Sequence, residues 1–222
     1  MEEIEKKTLS DRIGDFIASY RKIILGLLIT LFASAAVVAV TLSVMNVQKE
    51  KGLVKLDSIQ FEIEKLGSEE ADTQKKAEFF EELKKLASSS SGTVKTRAAM
   101  AAADAAFADK NWEESRTYWL MAASSQKKAY TNPLALYNAA VCSEELGDAD
   151  SALRYFDEAS QNRDFPLAAR SLFNAGRIEE SRGNYTEAFT RYEKLEASYA
   201  ASEWAHLAKS RVIALRAAGK LQ

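Results

Sequence analysis

The sequence has little of the residue types on which most catalytic and metal sites depend. Its 222 residues include one cysteine, one histidine and two prolines, and the formal net charge is only −2. A single cysteine, Cys142, excludes an internal disulfide and a lipid anchor on an N-terminal cysteine. A single histidine, His206, excludes a histidine-rich metal site and leaves little general-base capacity near neutral pH. The near-neutral charge gives no bulk attraction for nucleic acid, so we expect no such partner.

The common catalytic motifs are also missing. The sequence has no glycine-rich phosphate loop with Lys-Ser/Thr, no H-E-x-x-H, no G-x-S-x-G and no C-x-x-C. Two acid pairs, Glu144-Glu145 and Glu179-Glu180, recur at a fixed offset, but neighbouring acids on a helix point in different directions. We interpret both pairs as a solvated face and Cys142 as a small packing residue. The sequence predicts a protein that is not an enzyme, with no catalytic residues, no metal and no cofactor.

A long apolar run stands out against this background. Ile23 to Val47 contains no charged residue, and about twenty apolar residues in a helix span the hydrocarbon thickness of a bilayer, about 30 Å. We therefore predict a transmembrane helix over residues 23–47, preceded by a charged tail over residues 1–22. Ala33-Ser34-Ala35 also has the small-x-small form of a signal peptidase site, although the apolar run continues past it to Val44. A cleaved signal peptide and a buried helix of a soluble domain are the two alternatives.

The charges that flank this run give only a mild orientation signal. Arg21 and Lys22 abut its start, whereas Lys49 and Lys51 lie several residues beyond its end. A short tail with a large domain behind it favours an N-terminus in the cytoplasm and a C-terminal domain on the other side of the membrane.

An internal repeat organises the C-terminal part of the chain. One copy runs from Leu134 to Ala159 and the next from Ser171 to Leu195, and they align on Gly147 and Gly183, which are 36 residues apart. Each copy predicts a helix, a turn marked by Gly plus Asp or Asn, and a second helix. Glycine suits the left-handed conformation just past a helix end. A fixed period of this size is typical of a stacked-helix solenoid.

Within each copy, small residues stand where the helices cross, and a large residue fills the groove between repeats. An earlier, degenerate copy has Lys110-Asn111-Trp112 in place of the glycine turn. The repeats are predicted over about 96–130, 133–166 and 169–202, within residues 93–222, and a capping helix over 203–217. The equivalent small and large residues are Ser115 and Trp119, Ala152 and Phe156, and Ala188 and Tyr192. The capping helix has Trp204, Leu207, Ala208, Val212 and Leu215 as its apolar residues.

Between the apolar run and the repeats, residues 48–92 predict a helical hairpin that caps or spaces the solenoid. Gly67-Ser68 breaks the hairpin, Glu69 to Ala87 forms its second helix, and Ser88 to Gly92 is a loop. The first helix has apolar residues at three- and four-residue steps, namely Leu53, Leu56, Ile59, Ile63 and Leu66. The apolar side of the second helix is predicted to contain Ala77, Phe80, Leu83 and Leu86.

The repeat columns resemble those of the tetratricopeptide repeat (TPR) family over roughly residues 133–200. The resemblance implies an all-α fold, in which an N-terminal transmembrane helix is followed by a TPR-like α-α superhelical solenoid. In TPR proteins the first helix of each repeat lines a concave side and makes most ligand contacts. The mixed apolar, amide and basic surface suits an extended or helical peptide. Its residues are Arg97, Met100, Asp104, Tyr137, Asn138, Val141, Arg170, Phe173, Asn174 and Arg177.

The layout of tail, span, hairpin and about three TPR-like repeats is similar to the ancillary SecYEG translocon subunit family of bacteria. That resemblance implies a single-pass scaffold in the bacterial inner (cytoplasmic) membrane, with a periplasmic domain that assists protein secretion or chaperoning. Its partners would be proteins or peptides, such as translocon subunits, chaperones or secreted clients. An envelope or cell-division assembly factor using the same surface is the alternative, and a ligand-binding or catalytic domain within a helical fold is a third hypothesis.

Overall fold

The computed structural model describes residues 8–66 and 73–221. Every regular element in these residues is an α-helix, which confirms the predicted all-α fold class. The chain divides into two compact units, residues 1–51 and 52–222, with the boundary inside the first helix. The helices are α1 (Leu9–Leu66), α2 (Thr73–Ser89), α3 (Gly92–Ala108), α4 (Trp112–Ser125), α5 (Asn132–Glu145), α6 (Ala149–Ser160), α7 (Ala168–Ser181), α8 (Tyr185–Tyr199) and α9 (Glu203–Ala217).

Helix α1 contains the uncharged run that predicts a membrane span. Its most apolar 18-residue window has a mean hydropathy of 2.7, and none of that window is buried. Leu28, Leu31 and Phe32 are among its exposed side chains. By length and composition α1 can therefore cross a membrane, and an N-terminal signal sequence would satisfy the same test. A helix buried in the core of this chain is excluded.

The second half of α1 and helix α2 form the apolar faces predicted for the hairpin, with one exception. Ala77 is exposed, and Phe79 packs against the core instead. The prediction for Ala77 was wrong because this residue precedes Leu83 by six positions, which places it about 120° away around the helix. The predicted break at Gly67-Ser68 and residues 69–72 lie outside the described residues. The buried residues of the two helices include Leu56, Ile59, Leu83, Leu86 and Ala87.

Helices α1 and α3 approach closely where α1 has a glycine. A Cβ atom at Gly52 would lie 2.8 Å from Cγ1 of Val94, so only glycine fits against this buried side chain. The connection from α2 to α3 consists of Ser90 and Ser91 alone, which is shorter than the predicted loop over residues 88–92. The reason is that α2 continues to Ser89 and α3 begins at Gly92.

The turn inside each hairpin has the left-handed backbone expected from the sequence. Gly147 and Gly183 have φ angles of 72° and 80°, and Lys110 has the same conformation with a φ of 59°. Each turn is followed by a polar residue that precedes the next helix. The side chain of Asp148 accepts a hydrogen bond from the backbone N–H of Ser151 at 3.1 Å and caps α6.

The equivalent large residues fill the core of each hairpin. Trp119, Phe156 and Tyr192 are all buried, and the alanines near them are buried as well. Cys142 is fully buried, and its Sγ donates to Oγ of Ser115 at 3.3 Å. Burial raises the pKa of the Cys142 thiol, which disfavours the nucleophilic thiolate. This environment fits the predicted packing role.

Helix α9 follows the third hairpin and covers its exposed end. Ser202 accepts a hydrogen bond from the backbone N–H of Ala205 at 3.1 Å, which caps the start of the helix. Leu207 is exposed, so its predicted place on the apolar face is wrong. The buried residues of α9 are Ala205, Ala208, Val212 and Leu215.

Of the four acids in the two pairs, only Glu145 is exposed to solvent as the sequence suggests. Glu179 is 6% exposed, accepts a hydrogen bond from the Asn184 amide at 2.8 Å and lies 3.4 Å from a guanidinium nitrogen of Arg191. Glu180 forms an ion pair with Arg211, which lowers the pKa of Glu180. The interpretation was wrong for the other three because adjacent positions look equivalent in sequence, whereas arginines on neighbouring helices select among them.

Candidate protein-interaction surface

The ten residues predicted to contact a partner lie on α3, α5 and α7, and the structure places them in different environments. Tyr137 is 6% exposed, and its ring packs edge-to-face on Phe156 and Phe165, with centroids 5.4 and 6.3 Å away. Burial raises the pKa of Tyr137. Tyr137 is therefore a core residue with little surface left for a partner.

Arg170 on α7 is the exposed residue with the most distinctive surroundings. Its guanidinium carbon lies 5.7 Å from the ring centroid of Tyr137 and 5.2 Å from that of Trp204. Both distances are within the range of cation–π attraction. Three helices meet at this point, because Tyr137 belongs to α5 and Trp204 to α9.

Phe173 completes the same group from α7. Its ring lies 5.5 Å from Trp204 and 5.8 Å from Tyr192, in tilted arrangements. We call Tyr137, Arg170, Phe173 and Trp204 the Arg170 cluster. Tyr192 anchors the cluster to the core, because it is fully buried.

The other predicted basic residues already have acidic partners. Arg177 forms an ion pair with Glu144, which links α7 to α5. Arg97 forms one with Asp57 at 3.0 Å, which links α3 to α1. Arg170 differs from both, because the described residues offer it aromatic rings and no carboxylate.

The predicted residues of α3 form a separate group. Met100 is half-buried against the core, and Asp104 is exposed. Partial exclusion of water raises the pKa of the Asp104 carboxyl. Asn138 and Val141 on α5 are half-buried. The structure thus joins Tyr137 with the predicted residues of α7, and gives no contact between these and the residues of α3 within the described part of the chain.

Sequence reasoning missed Trp204 as a surface residue and treated it only as part of the capping helix. A tryptophan at the second position of a terminal helix was the available signal, because that position is close to the end of the last repeat. The Arg170 cluster can bind a carboxylate, since a guanidinium donates two parallel hydrogen bonds to that group. Its rings can also contact an apolar side chain of the same partner.

A cleft lies elsewhere, between α4, α5 and α6. It has a volume of about 430 Å³, which is within the range that holds a small ligand or one or two side chains. Its polar rim includes Lys127 and Glu158. The apolar and small residues that line it are Leu120, Ala123, Ser124 and Leu136, with Asn132 and Tyr155 beside them.

Metal ligands are not gathered anywhere in residues 8–66 and 73–221. These residues contain no group of three or more His, Cys, Asp or Glu side chains that could hold a metal ion. His206 is exposed on α9.

Comparison with known proteins supports the repeat assignment. Residues 101–170 match a family model described as a domain of unknown function, DUF6340. A protein of Treponema pallidum (strain Nichols) described as a TPR repeat-containing protein is 36% identical over 117 residues, which are 53% of this chain and 49% of that protein. The chain therefore spans about half the length of this curated relative.

Among solved structures, the crystal structure of a Rap protein complexed with competence and sporulation factor is similar to this chain. The TM-score is 0.44 and the identity 22%, covering 71% of this chain and 51% of that one. The repeated helical hairpins and the relative from Treponema pallidum together support a TPR-like helical repeat protein.

Proposed function

We propose that this TPR-like protein is a membrane-anchored scaffold that binds protein partners and catalyses no reaction. The observation that carries the proposal is the Arg170 cluster. An arginine is held between two aromatic rings on a first helix of a repeat, and the described residues provide it with no carboxylate. Such an arginine suits the carboxylate of an extended or helical peptide, and the neighbouring rings suit its apolar side chains.

The membrane part of the proposal comes from α1. Its apolar run is fully exposed and long enough to cross a bilayer, and exposed apolar surface of this extent is stable only in lipid or against a partner. Residues 1–22 would lie in the cytoplasm, and residues 48–222 would lie on the periplasmic side of a bacterial inner membrane. An alkaline phosphatase fused to the C-terminus tests this orientation, because the enzyme is active only outside the cytoplasm.

The biological role that we propose is assistance to protein secretion or periplasmic chaperoning. Its support is the layout of one span, a hairpin and TPR-like repeats. The name of the Treponema pallidum relative supports a TPR-repeat scaffold, without indicating a partner. The same layout serves an envelope or cell-division assembly factor, so the identity of the partner decides between the two roles.

The test compares two charge reversals on exposed arginines in the tagged full-length protein. Arg170→Glu replaces the cation of the cluster, and Arg163→Glu makes the same change in the loop before α7. Partners are crosslinked in cells, recovered in mild detergent and identified by mass spectrometry. We expect translocon subunits or chaperones with the parent and with Arg163→Glu, and a loss of them with Arg170→Glu.

Other outcomes of this test are equally informative. Recovery of the same partners with Arg170→Glu would show that the cluster is not the contact surface. Recovery of division or outer-membrane assembly proteins instead would favour the assembly-factor role. Circular dichroism of both variants checks that the helices remain folded, since Arg170→Glu also removes two cation–π contacts worth about 0.5–1 kcal/mol each at exposed sites.

A further inference from the structure

The part of α1 that follows the apolar run has two different faces. The inner face packs on the repeats through buried residues such as Leu56 and Ile59. The outer face exposes two large apolar side chains, Val54 at 70% and Phe61 at 63%. Single exposed apolar residues are common on protein surfaces, but these two share one face of the helix.

The spacing of Val54 and Phe61 is that of a helix-pairing seam. Seven residues make almost two full turns, so the two side chains lie within about 20° of each other around the helix. In the sequence the same spacing runs back through Val47 and Val40. We call Val54 and Phe61 the outer stripe.

Charged residues flank the outer stripe with opposite signs on its two sides. At 100° per residue, Asp57 and Glu64 lie on one side, and Ser58 and Lys65 lie on the other. In the sequence Glu50 and Lys51 extend the acidic and the basic row by one heptad. The stripe is therefore bordered by an acidic row, in which Asp57 is already paired with Arg97, and by a row that contains lysines.

This arrangement distinguishes two ways in which the stripe can pair with itself. When two copies run parallel about a twofold axis, the acidic row of one copy faces the lysine row of the other, at nearly the same height along the helix. When they run antiparallel, each row faces its own kind, which is unfavourable. Charge complementarity thus selects a parallel pair.

We propose that the outer stripe is the interface between two parallel copies of this chain, with Lys65 of each copy beside Glu64 of the other. The proposal rests on the membrane anchor of the proposed function in one respect. Two copies anchored in one membrane are confined to the bilayer, which raises their effective concentration. A short stripe then suffices for association.

Cysteine crosslinking in native membranes tests the interface. Val54→Cys and Phe61→Cys are each introduced into the full-length chain, with Gln60→Cys as the control on an exposed position about 120° from Val54. The native Cys142 is fully buried and does not compete. After mild oxidation we expect disulfide-linked dimers with Val54→Cys and with Phe61→Cys, and few with Gln60→Cys.

Charge changes provide a matched second measurement. In the Phe61→Cys background, Lys65→Glu should reduce the dimer fraction roughly two- to fivefold, as expected from exposed ion pairs. The double change Glu64→Lys with Lys65→Glu exchanges the two charges of this pair and should restore the dimer.

Three results would overturn the proposal. The first is a dimer fraction at Val54→Cys and Phe61→Cys that is no larger than at Gln60→Cys, and the second is an unchanged dimer fraction after Lys65→Glu. The third is a disulfide that forms only between co-expressed Val54→Cys and Phe61→Cys chains, because that would indicate antiparallel pairing. Crosslinks only to another protein would likewise show that the stripe binds a different partner. Membrane sedimentation in the same samples reports on the anchor separately, because an unanchored chain appears in the soluble fraction whether or not it is dimeric.

Discussion

Changing Gly176 to alanine should destabilise the repeats, although alanine is the better helix former. A Cβ atom at position 176 would lie 2.5 Å from Cε1 and 2.9 Å from Cδ1 of Tyr192, whereas carbon atoms pack at about 3.5–4.0 Å. The ring cannot move away freely. Tyr192 is fully buried, its ring lies against Phe173, and its hydroxyl donates to Glu180 at 3.0 Å.

The size of the effect follows from two opposing contributions. Overpacking a well-filled site costs about 1–3 kcal/mol, and an overlap of a full ångström belongs at the upper end. The better helix propensity of alanine offsets about 1 kcal/mol of this cost. The net loss in the free energy of unfolding should be about 2 kcal/mol, which lowers Tm by roughly 4–8 °C in a chain of this size.

Thermal unfolding of the full-length protein in detergent, followed by circular dichroism, measures the change. Gly14→Ala is the matched control, because Gly14 is also helical and a Cβ atom there meets nothing within 4 Å. We expect its Tm to equal that of the parent or to exceed it slightly, because alanine is the better helix former and meets no neighbour there. A Gly176→Ala variant that is as stable as the parent would refute the overlap, and a Gly176→Ala/Tyr192→Leu pair should lose less stability than the sum of its single changes.

Two further predictions concern the turns and the acid response. Lys110→Gly should raise the free energy of unfolding by about 0.5–1 kcal/mol, because Lys110 has a φ of 59° that suits glycine. Gly147→Ala should lower the free energy of unfolding by a similar amount. An unchanged Tm in both variants would show that a side chain in this left-handed conformation causes no strain. Arg211 lowers the pKa of Glu180 below its ordinary value of 4.5, so the stabilisation by Glu180 is present above pH 4.5 and is lost as the pH falls through the lowered pKa. The unfolding midpoint in urea should therefore fall less steeply below pH 4.5 in Glu180→Gln than in the parent. Parallel pH profiles of the two proteins would show that the ion pair of Glu180 does not contribute to the loss of stability in acid.

The sequence was informative wherever a local rule determines the structure. The turns at Gly147 and Gly183, and the large residues Phe156 and Tyr192, follow from backbone conformation and repeat spacing, and the structure has them in the expected places. The uncharged run of α1 follows from composition alone.

The contact surface was less predictable because it depends on neighbours in other helices. The resemblance to TPR proteins implied a ligand-facing position for Tyr137, but its ring packs on those of Phe156 and Phe165. The role of Trp204 appears only when α9 is packed against α7, because many other pairs of residues share its separation of 34 positions from Arg170. Ion pairs that join residues about one repeat apart are equally hidden, because many combinations of charges have that separation.

These ion pairs have a consequence for how the number of repeats in such a chain can change during evolution. Glu144 and Glu180 occupy equivalent positions one period apart, and each accepts an arginine from the first helix of the element that follows, Arg177 or Arg211. The joint between successive hairpins is therefore of the same kind at both places. The hairpin between these two joints can be duplicated or removed by unequal recombination, and the joint that results keeps a carboxylate and a guanidinium. The array can thus gain or lose binding surface in steps of one repeat without a new interface having to evolve.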